Sequence, residues 1–290
     1  MVVFIQQNMK IKQGISGFDE LKYFADNGVN EVYFGLQELP SHVEGFADNV
    51  QGITSHNLAE AVDYAHSRKC GVFVAVNDIN VNVYGIEKAL DKMRFLMDCG
   101  VDGFIVSSPE FVLKYPKKGR QPEWHLSCLA MCVNRPSLEF YRDMGIRRFA
   151  IYQSITPEEA ICMFMDSGME SEAFLQADEI CVNFDGLCQG CGGLFGNRKF
   201  CQIPFSLPKT AKKFHCVRPG LRTDAHFFYS FFKYADWLKL VRKGTFEHRK
   251  RIFSIAKDLL SMAEKSNSED AFWNMSEQKF LEIRRLQDGD

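Results

Sequence analysis

The stretch LAEAVDYAHSRKCGVFVAVN, residues 58–77, places one helix directly before one strand. Apolar residues recur at helical spacing in its first half, and Gly71 then opens an apolar run that ends at Asn77. A short apolar run bounded by turn residues and preceded by an amphipathic helix is typical of a buried strand in a parallel sheet. The stretch therefore predicts one unit of an α/β fold.

The same order of helix, glycine-bearing turn and strand recurs along the chain. The predicted strands are Glu31–Gly35, Gly71–Asn77, Gly103–Ser107, Glu123–Ser127, Arg148–Tyr152, Glu179–Asn183 and Trp237–Val241. The predicted helices are Phe18–Asn27, Ser55–Arg68, Gly85–Cys99, Arg135–Met144 and Thr156–Ser167. This recurrence predicts a (β/α) TIM-like barrel, incomplete or irregular. A Rossmann sheet is disfavoured because the chain has neither a G-x-G-x-x-G motif nor a P-loop lysine motif.

Polar residues lie at the carboxyl ends of several predicted strands, where barrel enzymes place their working side chains. The candidates for catalysis are His125, Asn77 and Tyr33. His125 is read equally well as a buried histidine whose nitrogens are satisfied by neighbours. Asn77 is read equally well as a cap on its strand.

Composition limits the classes of partner. The formal net charge is −2 and the sequence pI is about 6.4, so nucleic-acid binding is disfavoured, though left open, and would require a local basic patch. The best patches are the lysines and arginines from Lys209 to Arg222 and the stretch from Lys239 to Arg251, which also read as solvated faces. No secretory signal or membrane span is expected, and the predicted location is cytoplasmic.

Five of the ten cysteines lie between Cys181 and Cys216, spaced C-x6-C-x2-C-x9-C-x14-C among several glycines. In a cytoplasmic protein such a group indicates a metal or iron–sulfur centre rather than disulfides. Four thiolates suit a [4Fe–4S] cluster or a zinc ion, and the spacing alone leaves both open. Only Cys188 and Cys191 have the short spacing of a zinc knuckle.

Several phrases together resemble peptidase family U32. They are NGVNEVYFG (residues 27–35), CGVDGFIVSSPEFV (99–112), the His125 strand EWHLS, and the segment from ICVNFDGLC to NRKFC (180–201). The resemblance covers roughly residues 17–262 and implies an incomplete TIM-like barrel. It also implies, as in the non-proteolytic members, a [4Fe–4S] cluster and a role in oxygen-independent hydroxylation.

Matched by position, the resemblance assigns the cluster to Cys181, Cys188, Cys201 and Cys216, with Cys191 as an alternative ligand. The chain departs from the family pattern in two places. It has HLSCL where relatives have HLSTQ, and NRKFC where they have NRGxC. These departures leave the substrate in doubt more than the cluster.

Two hypotheses follow. The first is a [4Fe–4S]-dependent, oxygen-independent hydroxylase acting on a small aromatic or other metabolite. The second is a non-catalytic, cluster-bearing subunit that binds a substrate, a homologous partner or a second copy of the chain. RNA-base hydroxylation and peptidase activity rank below both. A peptidase is disfavoured because no H-E-x-x-H motif is present, although Cys128 and Cys132 near His125 leave a thiol–imidazole pair open.

The predicted layout is a U32-like barrel over residues 1–260, including the cysteine-rich segment 181–216, and a C-terminal helical tail over residues 261–290. The aromatic stretch FFYSFFKYADW, residues 227–237, is expected to be buried against the barrel.

Overall fold

A computed structural model describes residues 9–41, 53–54, 56–79, 81, 83–175, 205–206, 213–214, 220–241 and 244–288. Its strands are β1 (Lys10–Gly14), β2 (Glu31–Gly35), β3 (Gly71–Val76), β4 (Gly103–Val106), β5 (Glu123–Leu126), β6 (Arg148–Ala150), β7 (Glu170–Phe174), β8 (Phe205–Ser206), β9 (Lys213–Phe214) and β10 (Trp237–Leu240). Its helices are α1 (Phe18–Asp26), α2 (Leu58–Ser67), α3 (Val83–Asp98), α4 (Pro109–Lys114), α5 (Arg135–Asp143), α6 (Pro157–Phe164), α7 (Leu221–Tyr234), α8 (Phe246–Lys265) and α9 (Glu269–Asp288), with a 3₁₀ turn at Cys128–Ala130.

Eight of these strands close into a parallel barrel in the order β1-β10-β7-β6-β5-β4-β3-β2. The prediction of a TIM-like α/β barrel is confirmed, but the barrel is closed rather than incomplete. Two of its strands, β1 and β7, were not predicted. The strand predicted at Glu179–Asn183 lies outside the described residues, and β7 occupies the place between β6 and β10. The strands β8 and β9 form a separate antiparallel pair.

The barrel presents two sets of side chains. Outward residues such as Val32, Val74 and Phe104 pack with the surrounding helices in the main apolar core. Inward residues alternate with them along each strand. Gly103 is one of these, and a Cβ atom there would lie 2.0 Å from the carbonyl oxygen of Glu123. This close approach of β4 and β5 requires glycine.

Local sequence explains where several helices begin. Helix α6 opens with a capping box, in which Thr156 accepts from the Glu159 amide and the Glu159 carboxylate accepts from the Thr156 amide. Pro157 occupies the first turn, where its missing N–H costs nothing. Asn134 caps α5 in a similar way by accepting from the Ser137 amide.

The aromatic stretch from Phe227 lies mostly on α7, which packs against α9. Phe228 stacks on Phe272 with ring centroids 5.6 Å apart, and Tyr229 stacks on the same ring at 5.1 Å. Phe228, Tyr229 and Phe272 are buried, so much of this stretch is covered by the last helix. Among the residues that the structure describes, no helix is both long enough and apolar enough to span a bilayer.

Candidate functional site

Inward side chains of the barrel form levels of four, each level contributed by alternate strands, as in other barrels of this type. The strand register brings Lys12 of β1, Phe73 of β3, His125 of β5 and Glu172 of β7 to the central level. Lys12 is fully buried, and the other three side chains are nearly so. The core of this barrel is therefore charged where most barrel cores are apolar.

Lys12 and His125 are joined by a short hydrogen bond. The Lys12 Nζ lies 2.7 Å from His125 Nδ1, and the His125 Nε2 lies 2.7 Å from Glu123 Oε1. An ammonium can only donate, so Nδ1 accepts and the proton of the neutral ring sits on Nε2, from which it is donated to Glu123. Phe73 stacks on the His125 imidazole with ring centroids 4.1 Å apart. The Lys12 Nζ lies over the same phenyl ring, 4.4 Å from its centroid.

Burial controls the charge of this pair. It lowers the pKa of His125 well below the usual value, and the nearby cations of Lys12, Arg148 and Lys239 lower it further. Burial also lowers the pKa of Lys12, although Glu172 and Glu31 oppose that change. His125 is accordingly neutral near pH 7, with both nitrogens engaged.

Glu172 joins the central level to the level above it. Its Oε1 accepts from Lys239 Nζ at 2.6 Å, and its Oε2 lies 3.3 Å from Lys12 Nζ. Burial raises the pKa of this carboxyl group, but Lys12, Lys239 and Arg148 outweigh burial and bring it down to about 2. Glu172 is thus a buried carboxylate held between two ammonium groups.

A second charged group fills the amino-terminal level of the barrel. The Arg148 guanidinium donates to both oxygens of Glu31, at 2.6 and 3.0 Å, and to Glu170 at 2.8 Å. It also lies 3.7 Å from the ring centroid of Trp237 and 3.6 Å from Glu123. This bidentate, stacked arrangement is the geometry for which arginine is better suited than lysine.

Polar side chains line the carboxyl-terminal mouth. Asn77 Nδ2 lies 3.3 Å from Ser127 Oγ, and Ser107 Oγ donates to the Asn77 carbonyl at 2.8 Å. The Tyr33 hydroxyl donates to the Leu240 carbonyl at 3.3 Å, with Lys239 Nζ 4.6 Å from its ring centroid. These contacts place hydroxyl, amide and ammonium groups at the carboxyl-terminal end of the barrel, where barrel proteins form sites for polar ligands.

The structure brings the three predicted catalytic candidates into one barrel, at different depths. Tyr33 and Asn77 lie toward the mouth, while His125 lies deeper with both nitrogens paired. Sequence reasoning missed Lys12, Glu172 and Arg148. The signal that could have found them is a charged residue at an alternate position of a short apolar segment, which in a closed barrel points inward.

The predicted basic patches are largely paired. Lys239 and Arg249 are buried, the first against Glu172 and the second against Glu20. Arg222 pairs with Asp270. Of the described part of the second stretch, Lys250 pairs with Glu247 and Arg251 with Glu282. The described residues of these stretches thus do not form a bare cationic patch.

The cysteines divide into two sets. All five candidate ligands, Cys181, Cys188, Cys191, Cys201 and Cys216, lie outside the described residues. Of the others, Cys132 is buried, and burial raises the pKa of its thiol to about 11. Because His125 is engaged by Lys12 and Glu123, the thiol–imidazole pair considered for Cys132 is not formed.

A family model described as "Peptidase family U32" matches residues 16–217. This range begins just after β1 and runs past β7 and through the cysteine-rich segment. It therefore includes both the barrel interior on most of its strands and the candidate ligands.

Curated relatives match a similar part of the chain. "tRNA hydroxylation protein P1" of Bacillus subtilis is 26% identical over 172 residues, which are 59% of this chain and 39% of that protein. "tRNA hydroxylation protein P" of Helicobacter pylori is 26% identical over 172 residues, 58% of this chain and 39% of that protein. The chain thus matches well under half the length of these relatives. A solved U32 peptidase structure aligns with a TM-score of 0.46 at 12% identity, over 58% of this chain and 69% of the other.

Proposed function

The chain belongs to peptidase family U32, whose model it matches over residues 16–217, and we propose that it takes part in a hydroxylation reaction rather than in peptide hydrolysis. The observation that carries the proposal is the match to relatives whose names describe tRNA hydroxylation. The barrel interior supports it, because its histidine is neutral and both of its nitrogens are paired, and burial raises the pKa of the Cys132 thiol to about 11.

The substrate class tested first is an RNA base. Sequence composition favoured a small metabolite, whereas the names of the relatives give RNA greater weight. A small aromatic metabolite remains the second candidate because the described residues of the two basic stretches are paired with carboxylates. In both cases the polar mouth around Tyr33 and Asn77 is the proposed binding site.

The proposal is tested by mass spectrometry of cells grown without oxygen, with and without the gene. Loss of a nucleoside carrying one additional oxygen atom, restored by returning the gene, would identify an RNA substrate. Loss of a hydroxylated metabolite with unchanged nucleosides would identify a small one. If no hydroxylated compound depends on the gene, the proposal is wrong. If a hydroxylated compound does depend on the gene, turnover by the isolated protein would distinguish an enzyme from a non-catalytic subunit.

We further propose that Cys181, Cys188, Cys201 and Cys216 bind a [4Fe–4S] cluster. Four thiolates are the usual donor set of such a cluster. The chain leaves β7 at the carboxyl-terminal end of the barrel, and Cys181 follows Leu175 closely in sequence. No group of three or more potential ligands that could hold a metal is found among the residues described. A bound cluster would supply one-electron transfer.

Single Cys→Ala changes should identify the ligands. We expect about four irons and four sulfides per chain in protein purified without oxygen. Alanine at position 181, 188, 201 or 216 should remove most of both, whereas Cys191→Ala should retain them. Cys162→Ala, at an exposed cysteine of α6, is the matched control and should behave as the wild type. One zinc without sulfide, or loss of iron in Cys191→Ala, would contradict this assignment.

A further inference from the structure

A continuous row of titratable side chains crosses the barrel. At the mouth side, Lys239 Nζ lies 2.6 Å from Glu172 Oε1. The other oxygen of Glu172 lies 3.3 Å from Lys12 Nζ. The row thus passes from the level of Tyr33 and Lys239 into the central level through one buried carboxylate.

The row continues to the opposite end of the barrel. Lys12 Nζ is 2.7 Å from His125 Nδ1, and His125 Nε2 is 2.7 Å from Glu123 Oε1. The Glu123 side chain is 41% exposed, whereas those of Lys12 and His125 are 0% and 2% exposed. The last member therefore meets solvent at the amino-terminal end, far from the mouth where the chemistry is proposed.

We propose that Lys239, Glu172, Lys12, His125 and Glu123, called here the barrel relay, carry protons from the mouth through the barrel to solvent at its other end. The inference rests on the proposed function, since hydroxylation removes the hydrogen that the substrate carbon carries. When that hydrogen leaves as a proton, some group at the mouth must accept it and pass it on to solvent. The relay residues act on protons and need not touch the substrate.

Each transfer moves one proton and no electrons. The Lys12 ammonium passes a proton to His125 Nδ1 while His125 Nε2–H passes its proton to the Glu123 carboxylate, which releases it to water. Neutral Lys12 then takes a proton from Lys239 through Glu172, whose carboxyl group rotates between them. Neutral Lys239 accepts the proton released at the mouth. Before the next transfer the imidazole turns, loses its Nδ1 proton to Glu123 and takes one back at Nε2. These two transfers cancel, so each cycle moves one proton outward.

The electrostatics favour transfer along the amino-terminal part of the row, from Lys12 to Glu123. Burial lowers the pKa of Lys12, the proton donor, and raises that of Glu123, the final acceptor. The pKa values of the two groups therefore differ less than they would in water, which favours transfer between them. Three further charged groups face this part of the row: Arg148 beside Glu123, and Glu31 and Glu170 around Arg148. Neutral His125, with one nitrogen accepting and the other donating, is the protonation state that a relay requires.

The alternative is that the row only stabilises the barrel. Two carboxylates in the amino-terminal part separate these possibilities because they are matched in exposure and both pair with Arg148. Glu123 is 41% exposed and contacts His125, whereas Glu170 is 42% exposed and instead contacts Trp237. Glu123→Gln keeps an oxygen for His125 but removes the proton acceptor. Glu170→Gln removes the same charge outside the row.

The first measurement does not depend on activity. With ¹⁵N-labelled histidine, NMR should show His125 exchanging between its two neutral tautomers in the wild type and in Glu170→Gln, but held as Nε2–H in Glu123→Gln. A wild-type His125 fixed in one tautomer across the pH range would overturn the relay. Exchange without any hydroxylated product would support the relay and overturn the proposed hydroxylation.

The second measurement is turnover. Glu123→Gln should lower it by about a hundredfold or more, the usual scale for a lost proton-transfer group. Added imidazole buffer should restore part of the rate by accepting the proton in place of Glu123. Glu170→Gln should keep the wild-type rate and show no response to the buffer. Equal rates in the two variants, compared at equal thermal stability, would overturn the relay.

Discussion

Arg148→Met should lower the free energy of unfolding by about 3–5 kcal/mol, the usual cost of removing one partner from a buried ion pair. The guanidinium donates to both oxygens of Glu31 and to Glu170, and it lies over the Trp237 ring. Methionine retains most of the volume but leaves the buried Glu31 carboxylate with Lys12, at 3.3 Å, as its one remaining ionic partner among the described residues. Denaturant unfolding followed by circular dichroism measures the change.

The matched control is Arg142→Met, on α5, where the guanidinium is 40% exposed and pairs with Asp143. Exposed pairs of this kind contribute little, so the control should stay within about 1 kcal/mol of the wild type. The double variant Arg148→Met/Glu31→Gln should recover part of the loss, because the stranded carboxylate is gone. Equal effects of Arg148→Met and Arg142→Met would show that the buried group is not the support that its geometry indicates.

Six barrel strands could be predicted from the sequence because each is a short run with an apolar outward face, although four of the six also carry a charged or imidazole side chain inward. The strand at Gly71–Val76 is the clearest, with Val72 and Val74 outside and Phe73 and Ala75 inside. Such a segment is a continuous apolar run whichever way it faces. Its prediction needs no knowledge of its neighbours.

The two missed strands carry the centre of the charged core. In β1 the sequence is KIKQG and in β7 it is ESEAF, so Lys12 and Glu172 stand where an inward apolar residue would be expected. Alone, each segment resembles a solvated strand or a loop. Only the register of the closed barrel shows that the two charges meet at 3.3 Å and offset each other.

Part of the site could also be predicted from the sequence. Tyr33, Asn77 and His125 follow from the rule that barrel sites form at strand ends, which needs only approximate strand positions. The pairing of His125 with Lys12 joins residues 113 apart in sequence, and no local pattern encodes it. The cysteine assignment depends on the family resemblance and stays a prediction.

Glu172→Gln should also destabilise the protein near neutral pH by about 3–5 kcal/mol, because it leaves Lys12 and Lys239 buried without their shared carboxylate. The amide keeps the shape of the side chain, so the loss reports its charge. This change differs from Arg148→Met in depending strongly on pH.

The sign of that dependence follows from the lowered pKa of Glu172, about 2 against an ordinary 4.5. A carboxyl group whose pKa falls on folding adds stability above its unfolded pKa, and this is lost as the pH drops from 4.5 toward 2. The gap between wild type and Glu172→Gln should therefore narrow in acid by on the order of 3 kcal/mol. Glu247→Gln, at an exposed carboxylate of α8, should follow the wild-type curve throughout. If the difference in unfolding free energy between wild type and Glu172→Gln stays constant into acid, Glu172 is not a buried anion and does not pair with Lys12 and Lys239 as a carboxylate.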